Sequence, residues 1–205
     1  MRRRHESHGV RFHLGRSVDA LHGDDRIRSA SLSDGTELPV DVLVEAVGSV
    51  PNVGWLEGNG LDLSDGVLVD HTLRVAIDAP VVAVGDIARH PNALFPGAAR
   101  RIEHWNMPTE TARRAGPSLA ALLRGGIPAA EPFSAMPAFW SDQYDLTLQI
   151  AGLPSEGVTD VKRVLAEGSE ILFHLDVTGR VVGASGLSHD NKIGKEIRLA
   201  EMLIA

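Results

Sequence analysis

Four apolar residues in a row, Val81-Val82-Ala83-Val84, run between Pro80 and a Gly85-Asp86 pair. A run of that length, bounded in that way, predicts a short strand covered on both faces, as in a parallel sheet. Open sheets of this kind bind ligands in the crevice beyond the carboxyl ends of their strands. Gly85 lets the backbone turn sharply and lets a ligand come close, and Asp86 presents an acceptor there. Downstream, Arg101-Ile102-Glu103-His104-Trp105-Asn106 leads into a predicted helix, with Asn106 as a candidate N-cap and Pro108 in the first turn. A strand ending in an acid, with a helix N-terminus aimed nearby, suits a ligand with hydroxyls and an electron-rich head.

The bulk properties narrow the function classes. At 205 residues the chain can hold one large domain or two small ones, and its 43% hydrophobic and 23% charged content is ordinary for a globular protein. No apolar run approaches the roughly 20 residues that a membrane helix needs. Met1-Arg2-Arg3-Arg4-His5 is basic, but no apolar stretch follows it, which speaks against a secretory signal. A net charge of −7 disfavours broad nucleic-acid binding. The expectation is a cytoplasmic protein without membrane or nucleic-acid partners. Cysteine is absent, which excludes disulfides, thiolate metal sites and a thiol nucleophile. His5-Glu6-Ser7-His8 and His13 cluster near the start, but histidines there are read as scattered surface residues, so no metal site is expected. No G-x-S-x-G, H-E-x-x-H or Walker-type loop occurs either, and no catalytic side chain is assigned.

Along the chain, Val10–Leu14 and Ile27–Leu32 alternate as strands do, and Ser33-Asp34-Gly35-Thr36 predicts a hairpin turn before Glu37-Leu38. Asp41–Val47 predicts a mostly apolar strand ending at Gly48. Pro51–Asp65 is a connector, with Trp55, Leu56 and Leu61 expected to pack beneath it. Strands are expected at 66–70 and 73–75, a loop over 89–100, and a helix over Pro108–Leu123 burying Ala112, Ala115, Leu119 and Leu122. Pro117 should kink that helix. Gly125-Gly126-Ile127-Pro128 reads as a domain boundary. Beyond it the pattern becomes antiparallel: 139–143 and 146–150 pair around Tyr144-Asp145, strands follow at 160–166, 170–176 and from 180, and a helix over 191–204 presents Ile193, Ile197, Ala200 and Leu203 on one face.

Val84-Gly85-Asp86 in this setting, Glu103-His104-Trp105, Val47-Gly48-Ser49-Val50-Pro51-Asn52 and Phe139-Trp140-Ser141-Asp142-Gln143-Tyr144 together resemble the flavin-dependent ferredoxin reductases. That group includes the putidaredoxin, rubredoxin and Rieske-dioxygenase reductases and is related to apoptosis-inducing factor. The resemblance covers essentially the whole chain, but only the second half of such an enzyme. It implies an α/β (α+β) protein: an incomplete two-dinucleotide-binding-domain fold with a small C-terminal α+β reductase domain. Residues 1–50 would be the closing strands of an NAD-binding domain, 51–126 the second part of an FAD-binding domain, and 127–205 the interface domain. It also implies FAD and NAD(P)H as cofactors and an iron–sulfur ferredoxin as electron acceptor. No G-x-G-x-x-G occurs in the chain, so the ADP parts of either cofactor are not expected to be held normally by these residues alone.

By the resemblance, Asp86 accepts a hydrogen bond from the flavin ribityl chain, with Gly85 beside it; from the residues alone, Asp86 could equally cap a short helix at Ile87. Trp105 would flank the flavin ring, with Glu103 and His104 at its edge or simply solvated. Trp140 would lie against the flavin near the ferredoxin surface, or pack between domains. Gly48 could approach the nicotinamide ribose, or serve only as a turn. Two readings follow: a fragment of an electron-transferring flavoprotein oxidoreductase, truncated and inactive by itself, or a cofactor-free binding and assembly module. An apolar face left uncovered in a half-length chain could also drive homodimerisation.

Overall fold

The computed structural model describes residues 1–76, 78–165, 168–189 and 192–205. It separates into two units, Met1–Val50 and Pro51–Ala205. Both mix helices and sheets, giving the expected α/β character.

The first unit opens with helix α1 (Arg2–Ser7) and holds a three-stranded antiparallel sheet in the order β1 (Val18–His22), β2 (Ser29–Leu32), β3 (Glu37–Pro39). Alternation in β2 buries Ala30 and Leu32. The β2–β3 turn forms as the sequence predicts: the Gly35 N–H donates to the Leu32 carbonyl (2.9 Å) and the Thr36 N–H to the Asp34 carboxylate (3.0 Å). Two expected strands are absent. Val10–Leu14 is irregular, and Phe12 instead meets the ring edge of His5 at 6.1 Å. Asp41–Val47 also forms no strand, and Val42, Val44 and Val47 are exposed. A strand exists through its ladder, and no described residue pairs with this segment. The sheet's first strand, β1, has no buried residue and escaped the sequence reading for that reason.

The second unit begins irregularly. Leu56 and Leu61 pack against its core as expected, but Trp55 is 72% exposed, with its indole N–H donating to the Asn52 carbonyl, so it is not a core residue. The parallel pairing is short: β4 (Val67–Leu68) lies beside β5 (Ala88–Arg89). The run Val81–Val84 is not the central sheet strand its composition predicts. Val75 donates to the Val81 carbonyl (3.0 Å) and Ala83 to the Leu73 carbonyl (3.1 Å), so the run lies antiparallel against 73–75 through an isolated bridge. The expected loop over 89–100 folds back on itself by mutual bonds between His90 and Arg100 (both 3.1 Å).

Helix α2 (Met107–Leu123) continues unbroken past Pro117. Its buried stripe is Met107, Thr111, Ala115 and Ser118, whereas Ala112 is exposed. Thr111 and Ser118 can be buried because each hydroxyl donates to the carbonyl four residues back, Met107 (2.8 Å) and Arg114 (3.1 Å). Both sides of Gly125–Pro128 are tied together. The Asn92 amide donates to the Ala135 carbonyl (2.8 Å), and Arg114 donates to the carbonyls of Ala129 and Glu131 (both 2.6 Å).

The remainder is a five-stranded antiparallel sheet, β6 (Ala138–Gln143), β7 (Leu146–Gly152), β8 (Thr159–Val164), β9 (Glu170–Leu175) and β10 (Val181–His189), in the order β6-β7-β10-β9-β8. The β6–β7 hairpin turns at Tyr144-Asp145 as predicted, with Tyr144 at φ 60°. Expected strand residue Ala166 and helix residue Asn191 lie outside the described residues. Helix α3 (Gly194–Ile204) covers the sheet with Ile197, Ala200 and Ile204, and Ile193 is buried just before it. Leu203, expected on that face, points to solvent. The helix approaches β10 so closely that a Cβ on Gly186 would run into Ile193 and lie 3.1 Å from Ile197 Cδ1.

Two measurements test this packing. Gly186→Ala should cost about 1–3 kcal/mol by forcing α3 off the sheet, read as a lower urea midpoint. The second concerns His90, which is buried against Phe133 (ring centroids 4.9 Å), with its Nδ1–H donating to the Pro91 carbonyl. Burial pushes its pKa below the ordinary 6.5, so the folded state prefers neutral imidazole. Its contribution is complete above pH 6.5 and is lost as pH falls below that value towards the folded pKa. His90→Gln should flatten the acid-side slope of unfolding free energy in that window.

Candidate functional site

Gly85–Ile87 is one 3-10 turn entered from Val84, without a side-chain cap. The helix-capping alternative for Asp86 is therefore not realised. Gly85 sits at φ 72°, and its N–H donates to Thr111 Oγ1 at 3.0 Å. A Cβ on Gly85 would lie 3.8 Å from Pro108 Cβ. The turn thus rests on the first turns of α2, whose N-terminus carries partial positive charge. The Asp86 carboxylate is exposed, and no described side chain engages it; its backbone carbonyl accepts from Arg101 Nη1 at 2.9 Å.

Arg101 is the hub that the sequence reading missed. Its Nε donates to Asp65 Oδ1 (2.7 Å), and its Nη1 also meets the Glu103 carboxylate. The Asp65 hydrogen bond, opposed by burial and reinforced by Glu103, holds the guanidinium pKa above its ordinary range. Gly66 backs this hub at φ 77°, since a Cβ there would strike the Ile87 carbonyl and the Arg101 side chain. Glu103 is consequently a partner that orients Arg101. The only sequence signal for Arg101 was its place in the run that carries Glu103.

His104 is half-buried. Burial lowers its pKa, and its Nδ1 is shut from solvent with no hydrogen-bond partner among the described residues. Its ring lies 6.2 Å from Phe139, tilted by 48°. Trp105 is 78% exposed and meets the half-exposed Trp140 edge-on, with centroids 6.4 Å apart at 76°. Asn106 holds this pair together rather than capping the helix: its Nδ2 donates to the Met136 carbonyl (2.8 Å) and its Oδ1 accepts from Ala138 N–H (3.0 Å). The start of α2 is thereby clamped to the start of β6. A cleft of about 360 Å³ beside Trp140 is lined by Gln149 and Ile150 of β7 and by Arg198 and Glu201 of α3.

In the second unit, Arg101 links Asp86 to Glu103, Thr111 holds Gly85, and the adjoining residues His104 and Trp105 meet Phe139 and Trp140 of β6. Gly48 belongs to the first unit, at φ 113° with open space around it. The assembled group offers an exposed acceptor, a neutral buried imidazole nitrogen and a pair of solvent-facing aromatic rings. That combination suits a planar, partly polar ligand with a hydroxylated tail.

The chain belongs to the pyridine nucleotide-disulphide oxidoreductase family, whose model matches residues 1–113, and a reductase C-terminal domain matches residues 138–205. The proteins it is similar to include several ferredoxin reductases and a monodehydroascorbate reductase of Oryza sativa. It is 34% identical over 207 aligned positions to the ferredoxin–NAD(+) reductase component of the anthranilate 1,2-dioxygenase system of Burkholderia cepacia, covering 99% of this chain and 47% of that one. The fold superposes with a TM-score of 0.78 on the ferredoxin reductase for the CYP199A2 system of Rhodopseudomonas palustris, at 34% identity over 91% of this chain and 44% of that one. With the covalent putidaredoxin reductase–putidaredoxin complex the TM-score is 0.82, at 27% identity over 99% and 46%. The chain therefore spans about half the length of the proteins it matches. Among its described residues, no helix is long and apolar enough to cross a membrane.

Thr111→Val should leave the Gly85 N–H without its acceptor. The expected cost is about 1–3 kcal/mol, with faster amide exchange at Gly85. Thr111→Ser, which keeps the hydroxyl, should restore most of it.

Proposed function

We propose that this chain is the flavin-facing and electron-exit half of a cytoplasmic ferredoxin reductase that uses FAD and NAD(P)H and delivers electrons to an iron–sulfur ferredoxin. The observation that carries the reading is the exposed Trp105–Trp140 pair, standing next to the orphaned His104 nitrogen and clamped there by Asn106. Exposed aromatic surface of this kind is costly unless a ligand or partner covers it.

The residues fit a flavin. Asp86 would accept from the hydroxyls of the ribityl chain, and Gly85 leaves room for it beside the first turn of α2. Trp105 and Trp140 would shield the edge of the ring system from water. His104, kept neutral by burial, packs its ring against Phe139 and backs this edge from beneath. Arg101, with Asp65 and Glu103, fixes the Asp86 turn from behind. Bound FAD would supply the chemistry, taking a hydride from NAD(P)H and releasing electrons singly. We assign residues 1–50 to the closing strands of the NAD-binding domain, with Gly48 near the nicotinamide ribose, 51–126 to the FAD-binding domain, and 127–205 to the interface domain.

FAD titrated into the chain should quench tryptophan fluorescence, and the visible spectrum after desalting should report how much flavin stays. Asp86→Ala should raise the half-saturating FAD concentration roughly tenfold while leaving the melting temperature within a degree or so. Fluorescence indifferent to FAD would favour the cofactor-free assembly module.

A further inference from the structure

Strand β8 ends the five-stranded sheet, and all six of its residues are exposed. Open edges of this sort are normally covered or blunted, because their unpaired N–H and C=O groups template another strand. Pairing on the inner side fixes which groups face out. The Leu165 N–H donates to the Ser169 carbonyl (2.8 Å), and the register pairs Val164 with Glu170 and Val161 with Phe173. Alternation in an antiparallel ladder then turns the backbone groups of Arg163 and Val161 towards β9, and those of Asp160 and Lys162 outward.

The sequence along this edge, Val158-Thr159-Asp160-Val161-Lys162-Arg163-Val164, is complementary to itself. An antiparallel pairing with a second copy, centred on Val161, sets Asp160 opposite Lys162 twice over and Val158 opposite Val164 twice over. It also places the outward-facing groups of Asp160 against those of Lys162, as a ladder requires. A shift of two residues either way instead opposes Lys162 to Lys162 or Asp160 to Asp160. Val158, Val161 and Val164, all solvent-exposed in one chain, would meet valines. The strand is already held for this role: Asp160 takes His174 Nδ1 on one oxygen (2.7 Å), Lys162 meets Glu170, and Arg163 reaches Glu196 of α3 (3.5 Å). The second Asp160 oxygen is left for the partner's Lys162.

We propose that β8 is a docking edge for a second copy of this chain, which joins the two five-stranded sheets into one continuous sheet across a two-fold axis at Val161. The proposal does not rest on flavin binding. Sedimentation of the full chain should show a monomer–dimer equilibrium. Lys162→Asp should raise the dissociation constant roughly tenfold or more, because two attractive pairs become repulsive. The exchange Asp160→Lys with Lys162→Asp should bring it back.

The absence of cysteine allows a second, register-specific test. In the proposed pairing the two Val161 residues form a non-hydrogen-bonded pair with Cα atoms about 4.5 Å apart, within disulfide reach. Val161→Cys should therefore give a reducible covalent dimer on mild oxidation. Thr159→Cys, which faces Arg163 in that register, should not. A wild-type chain that sediments as a single species of monomer mass overturns the proposal. So does a dimer indifferent to Lys162→Asp, or cross-linking as efficient through position 159 as through 161.

Discussion

The two hydrogen bonds of the Asn106 side chain are the constraint on which the candidate site depends. Its amide faces the carbonyl of Met136 and the N–H of Ala138, backbone groups just before and at the start of β6. Without it the helix and the sheet would be linked here mainly by apolar contact, which resists sliding poorly. With it, Trp105 immediately before the helix and Trp140 within β6 are held in one relative position, edge to face. Much of the affinity of a flat aromatic ligand for such a pair is set in advance, because neither ring has to be ordered on binding. The partly buried amide is itself satisfied on both ends.

A second constraint acts from the other side of the helix. Thr111 stabilises α2 internally through the Met107 carbonyl and receives Gly85 from the neighbouring turn. One hydroxyl therefore fixes the height of the Asp86 turn on the helix. Arg101 fixes its rotation, through the Asp86 carbonyl and the two flanking carboxylates. The Thr111 bonds are buried or partly buried, whereas the Arg101 bonds lie at the surface, so the helix side of the turn is the better shielded from solvent.

The sequence made the C-terminal antiparallel sheet and its closing helix legible, because alternation and helical spacing report burial directly, as at the Tyr144-Asp145 hairpin and at Ile193, Ile197 and Ala200. It misplaced Leu203 for Ile204, adjacent residues on the edge of the buried face. It took Trp55 for a core residue because size and apolarity were the only guides. It passed over Thr111 and Ser118 as buried positions, since a hydroxyl satisfied by its own helix looks polar in a periodicity reading. The strand expected at Val81–Val84 met a different partner, because composition predicts burial and not pairing. Of the candidate site, the outward-facing Asp86, Trp105 and Trp140 were named through the family resemblance. Arg101 and Asn106, which act by holding backbone, were not, since their roles exist only once distant segments meet.

The unpaired run Asp41–Val47 carries a consequence for handling the protein. It is a short β-branched segment with its valines in water, the composition that assembles into intermolecular cross-β stacks. Asp41 and Glu45 are the charges that keep such runs apart. Two side chains, and not the packing of the fold, therefore guard this segment against self-assembly, and replacing either with an apolar residue would lengthen the exposed run.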